Sequence, residues 1–308
     1  MSVRRMLALS FGCAMVFLTA SQAGATYPGT NGDIAFTSPN LAQAQIWTMG
    51  PLGGEKTLIT SPPPANFSPS WNADSSRIVF VATPPSGIQQ IFTMNPNGTL
   101  RTQVTTGHRN FDDPSMSPDG KWIVASSWRS DSDSENLWLV KADASGMHRL
   151  TQFKADDAGA TFSPDGTKIA WTRVRSNGTS DVCIKSLDGT GFDQLTGGNG
   201  DDRDVDFSPD GTKFVYTHVE GVLDTGRLWT MDIDGTHKAR LTNNPPGSTY
   251  DSAVWSPNSD KIAFIRETDL VHTVPDIYVV NYPTGSGGGL RNLTKGRYEP
   301  ADLDWGVG

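Results

Sequence analysis

Cysteine is nearly missing: Cys13 and Cys183 are the two in 308 residues. Histidine is scarce too, and no two of His108, His148, His218, His237 and His272 stand at metal-ligand spacing. Basic residues are outnumbered, 25 Lys and Arg against 33 Asp and Glu, giving a formal charge of −8. That balance argues against nucleic acid as a partner, because phosphate binding needs a basic footprint. It is compatible with cations or with a basic face on another protein. No apolar run reaches the roughly 20 residues that a spanning helix requires. Local enzyme signatures are missing as well. There is no G-x-S-x-G elbow and no H-E-x-x-H pair. An enzyme is disfavoured on these grounds, although one with catalytic groups scattered along the chain would leave no such mark.

What is present begins with "MSVRRMLALSFGCAMVFLTASQAGA". Arg4 and Arg5 precede an apolar run from Met6 to about Leu18, and Ala23 and Ala25 form an A-x-A site. This pattern predicts a secretory signal peptide over residues 1–25, cleaved near Ala25. Cleavage would leave Cys183 as the lone cysteine, so no internal disulfide is expected. In the strand-like run "SDVCIKS" it reads as a small buried apolar residue. A secreted or periplasmic monomer follows, with residues 26–308 as its folded part and a core large enough to carry it.

That folded part is repetitive. "WNADSSRIVF" at Trp71, "MSPDGKWIVA" at Met116, "FSPDGTKIAW" at Phe162, "FSPDGTKFVY" at Phe207 and "WSPNSDKIAF" at Trp255 are copies of one unit. Each is followed by a short apolar run such as "QIFTM" or "RLWTM". A third segment closes on Thr60, Thr105, Thr151, Thr196, Thr242 or Thr294. Alternating or short apolar runs rich in β-branched and aromatic residues are strand signals, and no helical periodicity competes with them. Serine, proline and glycine at the first, second and fourth positions of "SPDG" suit a type I turn whose glycine takes the left-handed conformation. A second turn, as in "LDGT" and "IDGT", joins the third and fourth strands. Four antiparallel strands in about 45 residues is the signature of a propeller blade. The expected fold is all-β, a six-bladed β-propeller with four antiparallel strands per blade. The tail "EPADLDWG" supplies a first strand, and "PGTNGDIAF" supplies the second strand of the same blade, so the termini close the ring and remove an open edge.

The "SPDG-x-K-I" hairpins followed by "LWTMDIDGTHKARLT" resemble the TolB-type propeller repeat, over essentially all of residues 26–308. The resemblance implies a six-bladed propeller in the periplasm or outside the cell. TolB itself carries an α/β domain ahead of its propeller, including the segment that meets its inner-membrane partner. Here only a few residues separate the expected signal peptide from the first blade, so the full cell-envelope role is not implied. Fold does not set function in any case.

Candidate sites follow from the repeat. The first strand of each blade lines the central channel, and the loops entering it and leaving the second strand open on one face, the channel mouth. Acids gather there: Asp112 and Asp113, Asp156 and Asp157, Asp201, Asp202 and Asp204, Asp251, and Glu299, Asp302 and Asp304. The blade after "SPPPAN" has none. Such acids cap turns, or converge on a hard cation such as Ca²⁺, with Asp157, Asp202 and Asp251 as its ligands, or dock basic side chains of a partner. The candidate binding residues are Asp112, Asp157, Asp202, Asp251 and Glu299. Trp128 joins them because it starts a loop, whereas the other tryptophans recur at packing positions. Leu223 and Leu270 belong too, at the tips of the 218–226 and 266–275 loops, where apolar residues either anchor a partner or pack on a neighbouring loop. The leading expectation is a non-catalytic scaffold that binds a protein, a carbohydrate or another small ligand at this face. The alternative is a propeller-type lyase or hydrolase acting on a carbohydrate or ester, with a metal at the mouth.

Overall fold

Each repeated turn closes a hairpin between an inner strand and its neighbour. In blade three, Ser163 Oγ donates to Asp165 Oδ1 at 2.6 Å and accepts from the Lys168 N–H at 2.9 Å. The Gly166 N–H donates to the Ser163 carbonyl at 2.8 Å with Gly166 at φ +70°. Blades two and four repeat this with Gly120 and Gly211, while blades one and five place Ser75 and Ser259 in the same slot at φ 54° and 61°.

The computed structural model describes residues 26–38, 44–130, 133–188, 190–220, 225–243, 245, 247–268, 274–283 and 289–308. The predicted signal peptide lies outside them. These residues form six sheets of four antiparallel strands each. The inner strands are Asn66–Trp71 in blade one, Asn110–Met116 in two, Asp157–Phe162 in three, Asp201–Phe207 in four, Ser248–Trp255 in five and Leu303–Val307 in six. The ring closes as expected: Leu303–Val307 pairs antiparallel with Asn31–Ser38, in the register Ile34↔Trp305. No helix among the described residues is long and apolar enough to cross a membrane.

The core lies between adjacent blades. Trp71 and Trp255 end their inner strands nearly fully buried, Phe162 and Phe207 hold the matching positions, and Trp305 is equally buried within the inner strand of blade six. Cys183 is buried in the cluster with Trp171 and Leu137, and burial pushes its thiol up to about 12. The six closing threonines share one task. Thr60, Thr105, Thr151, Thr196, Thr242 and Thr294 accept, through Oγ1, the N–H of Ile46, Ile91, Leu137, Val182, Leu228 and Ile277 at 2.9–3.1 Å. Each bond ties the end of an outer strand to the start of the third strand.

One contact was not anticipated. Thr26 and Tyr27 are buried at the turn-side end of the inner strands. Thr26 Oγ1 donates to Asp206 at 2.9 Å, and the Tyr27 hydroxyl donates to the Met116 carbonyl.

Candidate binding face

The inner strands do not run smoothly into the mouth. In blades one to five a β-bulge interrupts the pairing of first and second strands. Ser68, Asp113, Gly159, Asp204 and Ser252 sit at these bulges with positive φ. Two residues there oppose one on the partner strand, which re-aims the side chains around them.

The predicted acids therefore occupy different slots. Asp112 and Asp251 stand one residue before the bulge, and Asp157 and Asp202 stand two before it. A one-residue offset turns a strand side chain to the other face. Asp157 is fully buried and accepts from Arg173 Nε at 2.7 Å, Arg173 Nη2 at 3.0 Å and the Trp171 indole at 3.0 Å. Asp202 pairs with His218 Nδ1 at 2.6 Å, and this bond is the main cause of a raised imidazole pKa. Asp251 accepts from Arg203 Nη2 at 2.9 Å. Asp112 accepts from Ser68 Oγ at 3.0 Å. Glu299 is exposed, and Trp128 is half-buried at the end of its strand, paired with Asn110. Leu223 and Leu270 lie outside the described residues.

Asp157, Asp202 and Asp251 thus each face a different basic group of the protein itself: Arg173, His218 and Arg203. Among the described residues no three His, Cys, Asp or Glu side chains come together in a group able to hold a metal ion. The three aspartates expected as a Ca²⁺ ligand set are not gathered into one group among the described residues; each carboxylate is taken by a separate partner.

Arg203 went unnoticed in the sequence, although it is the one basic residue in any inner strand. It lies buried between Asp201 of its own strand and Asp251 of the next blade, with Asp204 at 3.7 Å. Asp204 is held well above the usual carboxylate range because burial outweighs the Arg203 charge.

The solvent side of the same face also carries a basic cluster. Arg109, from the loop entering blade two, Arg129, from the loop after its second strand, and Arg149, on its outer strand, line a cavity of about 390 Å³ with Lys154, Trp138 and Asp133. A second cavity, about 290 Å³, adjoins it and is lined by Leu150, Phe153, Trp171 and Phe192. The basic residues lie at unrelated repeat positions, so no periodic signal marked them.

Residues 128–270 match the family model described as the TolB beta propeller domain. Over that stretch this β-propeller is similar to the TolB propeller repeat. An uncharacterized protein of Agrobacterium fabrum is 27% identical over 225 residues, covering 73% of this chain and 62% of that one. A TolB homolog of Chlorobium luteolum is 26% identical over 143 residues, covering 46% of this chain and 32% of the other. This TolB-like propeller thus spans less than two thirds of either relative. TolB from Acinetobacter baumannii superposes with a TM-score of 0.73 at 18% identity, over 90% of this chain and 67% of that one. At that identity what the two share is the fold.

Proposed function

We propose that this TolB-like propeller is a secreted or periplasmic, non-catalytic scaffold that captures a protein partner on its channel-mouth face. The difference between the two faces carries this reading. On the turn face the polar side chains satisfy one another within each turn, as Ser163 and Asp165 or Ser208 and Asp210 do. Those turns repeat from blade to blade. On the mouth face the inner acids are consumed by internal pairs, while arginines and aromatic rings from loops of unequal length stand toward solvent. Variable loops on a rigid scaffold are where binding residues concentrate.

Capture from an envelope extract by immobilised protein tests the proposal. Arg129→Glu combined with Trp128→Ala should remove the captured partner, and Lys121→Glu on the turn face should not. Equal capture by the mouth variant and the wild type would sink the reading.

One observation favours a second reading, a hydrolase or lyase of a carbohydrate or ester. His218 and Asp202 form a half-buried imidazole–carboxylate pair on this face, the arrangement that orients a general base. The same pair raises the His218 pKa, which keeps the ring charged over more of the neutral range and suits an ion pair better than a base. A panel of carbohydrate and ester substrates, assayed with wild type and His218→Gln, separates the two. Turnover lost in the variant would select the enzyme.

A further inference from the structure

The two cavities beside blades two and three share Arg149 and Phe153, so they form one groove running from the mouth down the flank of the ring. Its upper half is cationic. The Arg109 guanidinium lies 4.3 Å from the centre of the Trp138 ring, a stack that fixes its position. Desolvation lowers its pKa, and the charges of Arg129 and Arg149 lower it further, with Asp133 opposing them. Like charges lining one cavity are relieved by an anion. The lower half is aromatic and solvent-facing. Phe153 and Phe192 are 49% and 43% exposed, with ring centres 6.3 Å apart. Trp171 packs 5.9 Å from Phe192. Arg173 lies 3.8 Å from the Phe153 ring and 5.0 Å from that of Phe192. Its own charge is taken by Asp157, so it acts as a fixed platform that holds the two rings in place. Large rings set rigidly and left open to water are anchor positions for a partner.

The geometry points to an acidic peptide segment as the occupant of this groove, with carboxylates on Arg109, Arg129 and Arg149 and an adjacent aromatic or aliphatic side chain over Phe153 and Phe192. Charge complementarity selects the sign, since the groove is basic on a chain of net charge −8. The exposed Phe153 and Phe192 rings favour an apolar peptide side chain there, and because Arg149, Gln152 and Lys185 line the same cavity, an acidic oligosaccharide is the competing occupant that the test must separate. The inference rests on the mouth-face scaffold reading and names the chemistry of its partner.

The probe is an N-acetylated octapeptide alternating glutamate and phenylalanine, titrated calorimetrically at physiological salt. The controls are the same peptide with glutamine for glutamate, the same with serine for phenylalanine, and an octamer of galacturonic acid. The acidic aromatic peptide should bind at least about ten-fold more tightly than each control. Arg109→Glu with Arg149→Glu should weaken it by at least about ten-fold, as should Phe192→Ser. Arg291→Glu with Lys295→Glu, in a separate basic cavity between blades five and six, should leave it unchanged. The proposal is overturned if no probe binds, if the groove variants bind like wild type, if the blade-five variant weakens binding equally, or if the galacturonate octamer binds as well through the same arginines. Loss of this proposal alone would show as failed peptide binding with mouth-face capture intact. Failure of capture in the extract experiment would remove the scaffold reading beneath it.

Discussion

Asp157 holds Arg173 by two parallel bonds, Nε to Oδ1 at 2.7 Å and Nη2 to Oδ2 at 3.0 Å, and takes the Trp171 indole N–H on the same Oδ1. The Asp157 side chain has no exposed surface, and the Arg173 side chain retains 13%. A bidentate pair of this kind orients the arginine as well as neutralising it. Asp157→Ala leaves that charge and a buried indole donor without their acceptor. The expected loss is about 3–5 kcal/mol of unfolding free energy. Urea unfolding of wild type and variant measures it, and a loss below about 1 kcal/mol would mean that solvent replaces the carboxylate.

Gly166 closes its turn at φ +70°, and a Cβ there would stand 3.2 Å from Pro118 Cδ of the neighbouring blade. Gly166→Val should cost about 1–3 kcal/mol, since a β-branched residue is strained in the left-handed region. Gly166→Ser should cost less, because Ser75 and Ser259 already hold the same slot at φ 54° and 61°. Melting temperatures of the two variants compare them, and equal values would contradict the turn geometry.

The blades, their number and the closure of the ring were legible because each rests on a local signal repeated in register: the SPDG turn, the alternating strand and the closing threonine. The mouth was less legible, and Asp157 shows why. Reading by repeat position groups Asp112, Asp157, Asp202 and Asp251 as equivalents. The bulges at Asp113, Gly159, Asp204 and Ser252 place them one or two residues away from a shared reference point. A bulge needs only a residue that tolerates positive φ, and serine, aspartate and glycine all serve here, so no single residue type announces it. The groove at Arg109, Arg149 and Phe192 was hidden for a different reason. Its residues come from loops and outer strands, where the repeat is weakest.

Thr105 Oγ1 accepts the Ile91 N–H at 2.9 Å, and both residues are buried. Thr105→Val keeps the shape and removes the acceptor. A buried backbone N–H left unsatisfied costs about 1–3 kcal/mol. Hydrogen exchange gives the more direct measurement, since protection of the Ile91 amide should fall while amides in blade four keep theirs. Unchanged exchange at Ile91 would show that this bond does not hold the third strand.

Asp304 carries a pH dependence whose sign is fixed by its surroundings. Its carboxylate accepts the Trp71 N–H at 2.6 Å and the Trp305 N–H at 2.8 Å, yet complete burial outweighs these donors and raises the pKa to about 7. In the unfolded chain it returns to about 3.9. Between those values the folded protein binds the proton more tightly than the unfolded chain does. The contribution to stability is therefore full below about pH 4 and is lost as pH rises through about 7. Asp206 is raised by burial and, in part, by the charge of Asp304, so it adds to the same trend. His218 is raised by its bond to Asp202 and also loses stability as pH rises, equally in wild type and variant. Unfolding free energy measured from about pH 6 to about pH 8 should fall in the wild type, with Asp304 contributing at most about 1.4 kcal/mol per pH unit. Asp304→Asn has no proton to lose there, so its slope should be shallower by that contribution. Parallel slopes would show that Asp304 is ionised throughout, held so by the two tryptophan amides.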